Sequence, residues 1–239
     1  LLLGWVFSTF LQGVGGFGVP VAVVARLLAG LGFPSLAAIV IPSVGHCWAV
    51  TFGSQGSSFF TLMEVTGRGV QELAPWCAGL LGLACLACGT GTLWAAGGWP
   101  TLRSNLIPLL VLWGAMAGAQ YLVVTSGLWS IGAMMAGLVG LGVGVILARW
   151  RAGNGSQADA STDQAMSIGW ALAPYAFLVA LVLVVQIPPV GDALGRIAFR
   201  HRFPEMTTPD GVRVPAKALS IELASNAGAL LTYASLAAY

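Results

Sequence analysis

Long apolar runs separated by short glycine-rich or polar stretches dominate the chain. A helix needs about 20 apolar residues to cross a hydrocarbon core about 30 Å thick. Residues 73–96, 105–125, 127–149 and 168–188 reach that length, with Arg149, at an end, as their one charged residue. Residues 1–12, 18–33 and 34–51 are shorter apolar segments, the latter two edged by Gly or Pro, and 218–239 begins another in which Glu222 and Asn226 stand one helical turn apart. The first and last segments read as partial spans, so the sequence reads as part of a longer protein. The pattern predicts an all-α membrane protein, a polytopic transmembrane helix bundle with broken or re-entrant helices. It forms one integral membrane domain over 1–239, with polar extramembrane loops at 150–166 and 189–217.

Composition sharpens this picture. Hydrophobic residues make up 57% of the chain and charged residues 8%, against about 25% charged in soluble domains. Such a chain folded in water would expose apolar surface almost everywhere, which excludes a soluble enzyme, a nucleic-acid binder and a disordered tail. Its surroundings are membrane lipid. Trp76, Trp94, Trp99, Trp129, Trp150 and Trp170 fall near predicted span ends, as an interfacial belt places them. The densest basic stretch holds Arg196, Arg200, Arg202, Arg213 and Lys217. Counting basic residues by loop, the positive-inside rule puts 189–217 on the cytoplasmic side. Cys85 and Cys88 form a C-x-x-C inside an apolar run without an accompanying His or second Cys pair, so they read as small packing residues. Neither a hydrolytic triad, a zinc site nor a Walker motif can be assembled, and no cofactor is expected.

Two stretches depart from ordinary spans. Gln12-Gly13-Val14-Gly15-Gly16-Phe17-Gly18-Val19-Pro20 concentrates four glycines and a proline, costing a helix about 1 kcal/mol per glycine and about 3 for an interior proline. Unwound backbone in a membrane must be satisfied by protein, water or ligand, so this break either lines a cavity or marks a close helix crossing. Pro20 suits the first turn of the following helix, whose positive N-terminal end would attract a carboxylate. The second stretch runs from Gly45 through His46, Thr51, Ser54 and Gln55 to Ser57 and Ser58. Its polar groups either form a wet loop or are offered to a substrate or ion from a broken helix. Paired interrupted segments are the best sequence pointer to a transporter's binding site.

Among ionisable groups, Arg26 lies in apolar sequence six residues past Pro20. Intramembrane charge is expensive, so Arg26 either pairs with a substrate carboxylate or snorkels to the interface. His46 carries the side chain that changes charge most readily near neutral pH, and serves either as a proton carrier or as a hydrogen-bonded structural residue. Glu222, close to Ser220 and Lys217, reads as capping the last segment.

At these residues the sequence resembles a known family. Phe10-Leu11-Gln12-Gly13-Val14-Gly15-Gly16-Phe17-Gly18-Val19-Pro20-Val21-Ala22 is similar to the F-L-E-G-x-x-G-F-G-x-P-V-A signature of the bacterial L-lactate permeases, secondary transporters of lactate and glycolate. Leu27 to Phe33, Val50 to Gly56, Gly98-Trp99-Pro100 and Gln120-Tyr121 follow in the family's order. The chain departs from the pattern in having Gln12 for the glutamate, His46 for an asparagine, Ala49 for a proline and Arg26 at an apolar place. The resemblance implies uptake of L-lactate, glycolate or D-lactate at the plasma (inner) membrane in symport with protons, with a sodium ion as the alternative coupling ion. The expected substrate-binding residues are Gly13, Gly15, Gly16, Phe17, Gly18, Arg26, Ser54, Gln55, Ser57 and Ser58, with His46 and Gln12 for proton or ion coupling. A non-transporting membrane subunit, its glycines serving only packing, is the alternative.

Overall fold

Glycines decide where the first helices stop. In the computed structural model, which describes residues 1–16, 18–152, 184, 188–195, 197–207, 213–214, 217–222 and 232, the chain divides into two compact units, Leu1–Ala160 and Ser161–Tyr239. The first unit opens with α1 (Leu2–Val14), whose initial turns, Leu2–Phe7, are wound as a π-helix. After Gly15 the backbone enters the left-handed region at Gly16 (φ 60°) and Gly18 (φ 89°), conformations that side-chain-bearing residues reach only with strain. Helix α2 (Val19–Gly30) then starts with Pro20 in its first turn. It returns alongside α1, since Leu28 and Leu31 share an apolar cavity of about 410 Å³ with Leu1, Leu2 and Gly4. Twelve residues rise only about 18 Å. The pair is therefore a helical hairpin too short to cross a bilayer.

Helix α3 (Ser35–His46) crosses α1 where Gly45 lies against the Gly4 carbonyl. Short 3₁₀ turns at Cys47–Ala49 and Ser54–Gly56 lead into α4 (Ser57–Thr66). Together Ser35–Thr66 is one of four segments long and apolar enough to cross a membrane among the described residues, and it is interrupted in the middle. The other three are α5 (Val70–Ser104), α6 (Leu106–Thr125) and Trp129–Trp150, which contains most of α7 (Gly132–Ala152). Helix α5 loses helical geometry at Gly97 and Gly98, just past the predicted span end at 96. Ala96, Asn105 and Ala148 line the same cavity, so the α5–α6 connection and the end of α7 lie at one end of the bundle.

The core forms around α1. Trp5, Val6, Phe10 and Leu11 are buried, and α1 lies against α7 where glycines let main chains approach: a Cβ at Gly13 would strike the Met134 backbone, and one at Gly137 the Phe10 backbone. Close crossings of this kind are how helices associate in lipid, where apolar burial gives little driving force. Trp76, Leu80, Leu83, Ile107 and Leu122 are exposed on the outside, as expected of a surface meeting hydrocarbon. The predicted span at 168–188 lies almost wholly outside the described residues, as does most of the loop at 150–166.

Among its described residues the second unit contains the short helix α8 (Pro188–Gly195) and two antiparallel strand pairs. β1 (Ala198–Phe203) pairs with β4 (Lys217–Glu222), with His201 opposite Leu219, and β2 (Met206–Thr207) pairs with β3 (Arg213–Val214). The segment expected to begin a helix at 218 is thus strand through Glu222, and Glu222 is not a helix cap. Phe199, His201 and Phe203 alternate with Arg200 and Arg202, as Leu219 and Ile221 alternate with Ala218 and Ser220. Over six residues that period of two matches a strand and not a helix.

Candidate functional site

Two interruptions of helical backbone meet inside the first unit. One is the α1–α2 turn at Gly15–Gly18; the other is the stretch between α3 and α4. They touch directly, because the Ser54 side chain fills the place a Cβ on Gly16 would take. A Cβ on Gly53 would meet the Gln12 amide nitrogen at 2.8 Å and the Gln12 carbonyl at 2.9 Å. Ser54 (φ 48°) and Gln55 (φ 56°) are left-handed without being glycine, a strain of about 1–3 kcal/mol each. Strain of this size persists only where surrounding contacts impose it, and it gathers at binding sites.

Between the breaks lies a cavity of about 170 Å³ lined by Gln12, Gly18, His46, Val50, Ser54 and Ser58. One water needs about 10–15 Å³ on this measure, so a small organic anion fits together with water. Gly18 is the N-cap of α2, and Ser58 lies in the first turn of α4. Two helix N-termini therefore face one space, each with the positive end of its dipole. Two hydroxyls, from Ser54 and Ser58, can donate hydrogen bonds into it.

The other polar groups are fixed by the fold. His46 Nδ1 donates to the Pro42 carbonyl at 2.6 Å; a carbonyl cannot donate, so this ring nitrogen carries the hydrogen and Nε2 holds the lone pair in the neutral ring. Gln12 is 4% exposed, and its Oε1 has no hydrogen-bond partner. The break between α3 and α4 is tied to α1 by Trp48 Nε1, which donates to Thr9 Oγ1 at 3.0 Å, while the Thr9 hydroxyl donates to the Trp5 carbonyl at 2.8 Å. Further along, the Phe59 N–H donates to the Thr51 carbonyl at 3.1 Å, closing the stretch into a loop. Thr9→Val removes the acceptor and leaves a buried indole N–H unpaired. The expected loss is about 1–3 kcal/mol of stability, read as a lower unfolding midpoint in detergent, whereas Thr9→Ser should retain most of it. Equal midpoints for Thr9→Val and the parent would show that this tie does not hold the break.

Of the residues anticipated from sequence, the structure gathers Gln12, Gly18, His46, Ser54 and Ser58 around the cavity, with Gly16 directly behind Ser54. Gly15 ends α1 in ordinary helical geometry, and Gly13 serves the crossing with α7. Ser57 stands half-buried at the start of α4, and Gln55 is half-buried with its Nε2 enclosed and unpartnered. Phe17 lies outside the described residues. Arg26 is not brought to the cavity: it is exposed on the face of α2 away from its buried residues Pro20, Val24 and Leu28. Sequence reasoning missed Val50, which lines the cavity, and the Thr9–Trp48 tie. Gln120, named from sequence only within a motif, is fully buried with both amide atoms unpartnered. A polar residue in the middle of an apolar span was the available signal for Gln120; nothing local marks the others.

Comparison with known proteins gives the chain a family. Residues 1–208 match the family described as L-lactate permease. The chain is 29% identical over 204 residues to an L-lactate permease of Salmonella typhimurium, covering 79% of this chain and 37% of that protein. It is 32% identical over 122 residues to an L-lactate permease of Escherichia coli, covering 51% and 22%. To a glycolate permease of Escherichia coli it is 29% identical over 121 residues, again covering 51% and 22%. The chain thus spans little more than a third of the first of these relatives. No solved structure matches it. With four membrane-length apolar segments among the described residues and a family match over most of its length, this multi-pass membrane chain belongs to the L-lactate permease family.

Proposed function

We propose that the protein is a secondary active transporter of small hydroxy-monocarboxylates at the plasma membrane, L-lactate first and glycolate or D-lactate next, driven by protons. The observation that carries this reading is the convergence of two helix N-termini, two serine hydroxyls and an imidazole on one cavity between broken helices. Dipole ends and hydroxyl donors favour a carboxylate there, and discontinuous helices are where carriers bind substrate. The lactate and glycolate permeases among its relatives support the substrate class. Gln12 is an amide and exchanges no proton near neutral pH, so proton coupling falls to His46. Protonation at Nε2 places a positive charge beside the carboxylate and leaves the loaded site neutral, which lowers the cost of moving it through a low-dielectric interior.

The complete gene, expressed in a bacterium lacking its own lactate and glycolate permeases, should confer saturable uptake of labelled L-lactate that collapses with a protonophore. Saturable uptake that ignores the protonophore but follows sodium would replace the proton with sodium. Absence of uptake for every hydroxy-monocarboxylate, with membrane insertion confirmed, would favour a packing subunit.

A further inference from the structure

We propose that the larger cavity, at the end of the bundle where α5 meets α6, holds an acyl chain of an anionic phospholipid whose phosphate is bound by Arg103 and Arg149. This site is separate from the cavity between the broken helices and shares no lining residue with it. Its occupancy is independent of what the protein transports.

The cavity measures about 410 Å³, and Leu2, Leu28, Ile41, Leu112 and Leu147 give it apolar walls. Water in such a space finds few hydrogen-bonding partners, and an unfilled wall forfeits its dispersion contacts. An acyl chain restores them. Leu31, Ala96 and Ala148 also line the space and are exposed, so it is reached from outside the bundle.

Its mouth sits at headgroup depth. Trp94, Trp99 and Trp150, each within three residues of Ala96 or Ala148, are exposed, and such tryptophans mark where hydrocarbon gives way to headgroups. Trp94 and Trp99 meet edge to face with ring centroids 6.3 Å apart. The Arg103 guanidinium lies over Trp99, 5.6 Å from its ring centre, a cation–π contact that holds the charge at that depth. Arg149 directly follows Ala148 and is exposed too. Neither arginine has an ion pair among the described residues. Over residues 1–152 the acidic side chains are Glu64 and Glu72, and Glu72 lies in the first turn of α5 whereas Arg103 lies in its last. The positive charge at the mouth is therefore uncompensated, beside hydrocarbon, where the membrane's own complement is an anionic headgroup. Helix α6, whose N-cap Asn105 lines the same cavity, adds the positive end of its dipole. A free phosphate would leave the apolar space unfilled, and a zwitterionic lipid brings its own cation beside the phosphate. An anionic phospholipid meets both demands.

The complete protein, purified in mild detergent and stripped of lipid, should rise in unfolding midpoint on adding phosphatidylglycerol. Half-saturation should come at a concentration on the order of 10-fold lower than for phosphatidylcholine with the same chains. Each arginine beside an anionic headgroup is worth about fivefold in affinity, so Arg103→Gln with Arg149→Gln should weaken phosphatidylglycerol about 25-fold. Where that double variant does not fold, Arg149→Gln alone should show about a fivefold loss. Ala148→Phe, which fills the cavity from its exposed rim, should weaken phosphatidylglycerol with the arginines intact. Inorganic phosphate should give no shift. Equal half-saturation for the two lipids would overturn the proposal, as would parent-like affinity in the arginine variants or in Ala148→Phe. Stabilisation reproduced by inorganic phosphate would reassign the arginines to a free anion. No shift with either lipid would leave the cavity to another segment of the complete chain, and either result would also overturn it.

Discussion

Gly16→Leu should abolish transport while leaving the protein in the membrane. Two independent demands meet at this residue. Its φ of 60° costs a side-chain-bearing residue about 1–2 kcal/mol, and the place for a Cβ is already taken by the Ser54 hydroxyl. Leucine must therefore displace Ser54, which sits in a strained left-handed turn of its own and lines the cavity. A shift of about 1 Å at a positioned group is enough to lose on the order of 100-fold in rate. Insertion depends instead on the apolar length of the spans, and α1 keeps its contacts with α7 on either side of Gly137. The measurement is initial uptake per unit of membrane-embedded protein. Gly18→Ala is the informative companion: Gly18 shares the left-handed backbone, but a Cβ there meets nothing within 4 Å, so its loss should be several-fold smaller. Parent-like uptake by Gly16→Leu would refute the cavity as the transport site.

His46→Gln should separate uptake from the pH gradient. The histidine's Nδ1–H is held by the Pro42 carbonyl, which directs proton exchange to Nε2, on a side chain that lines the cavity. Glutamine can keep a hydrogen bond but cannot carry a proton. A gradient of one pH unit is worth about 1.4 kcal/mol, so one proton per substrate supports about tenfold accumulation. His46→Gln should bring accumulation down to about unity and make it indifferent to a protonophore, while exchange of labelled for unlabelled lactate continues. Accumulation equal to the parent's would remove His46 from coupling. Loss of exchange as well would assign it to binding instead.

The long spans were legible because their signal is local and summed over many residues. The end of the predicted span at 96 lies beside the α5 break at Gly97 and Gly98, and the hairpin break was announced by the glycines from Gly13 to Gly18. The polar run after Gly45 was legible too, since hydroxyls and amides in an apolar chain stand out. Arg26 stands out in the sequence because a charge is unusual in an apolar segment. Its direction, however, depends on the rotational phase of α2, set by the burial of Pro20, Val24 and Leu28. The strand at Lys217–Glu222 reads locally as the approach to a helix because apolar residues follow it. Pairing with β1 supplied the backbone hydrogen bonds that decide a six-residue segment.

Sequence alone thus determined the solvent of this protein and where its helices break, because hydrocarbon length and glycine or proline conformational energies act residue by residue. It also determined the family resemblance, carried by an ordered series of short motifs. Only tertiary structure decided that the two breaks meet, with Ser54 against Gly16, Trp48 hydrogen-bonded to Thr9, and Gln12 and His46 on the same cavity though 34 positions apart. Those juxtapositions depend on how α1 crosses α3 and α7, and glycine-to-backbone contacts at Gly13, Gly45 and Gly137 set those crossings. No local pattern records which helix a glycine will touch, so the chemistry of the cavity becomes visible only once the helices are packed.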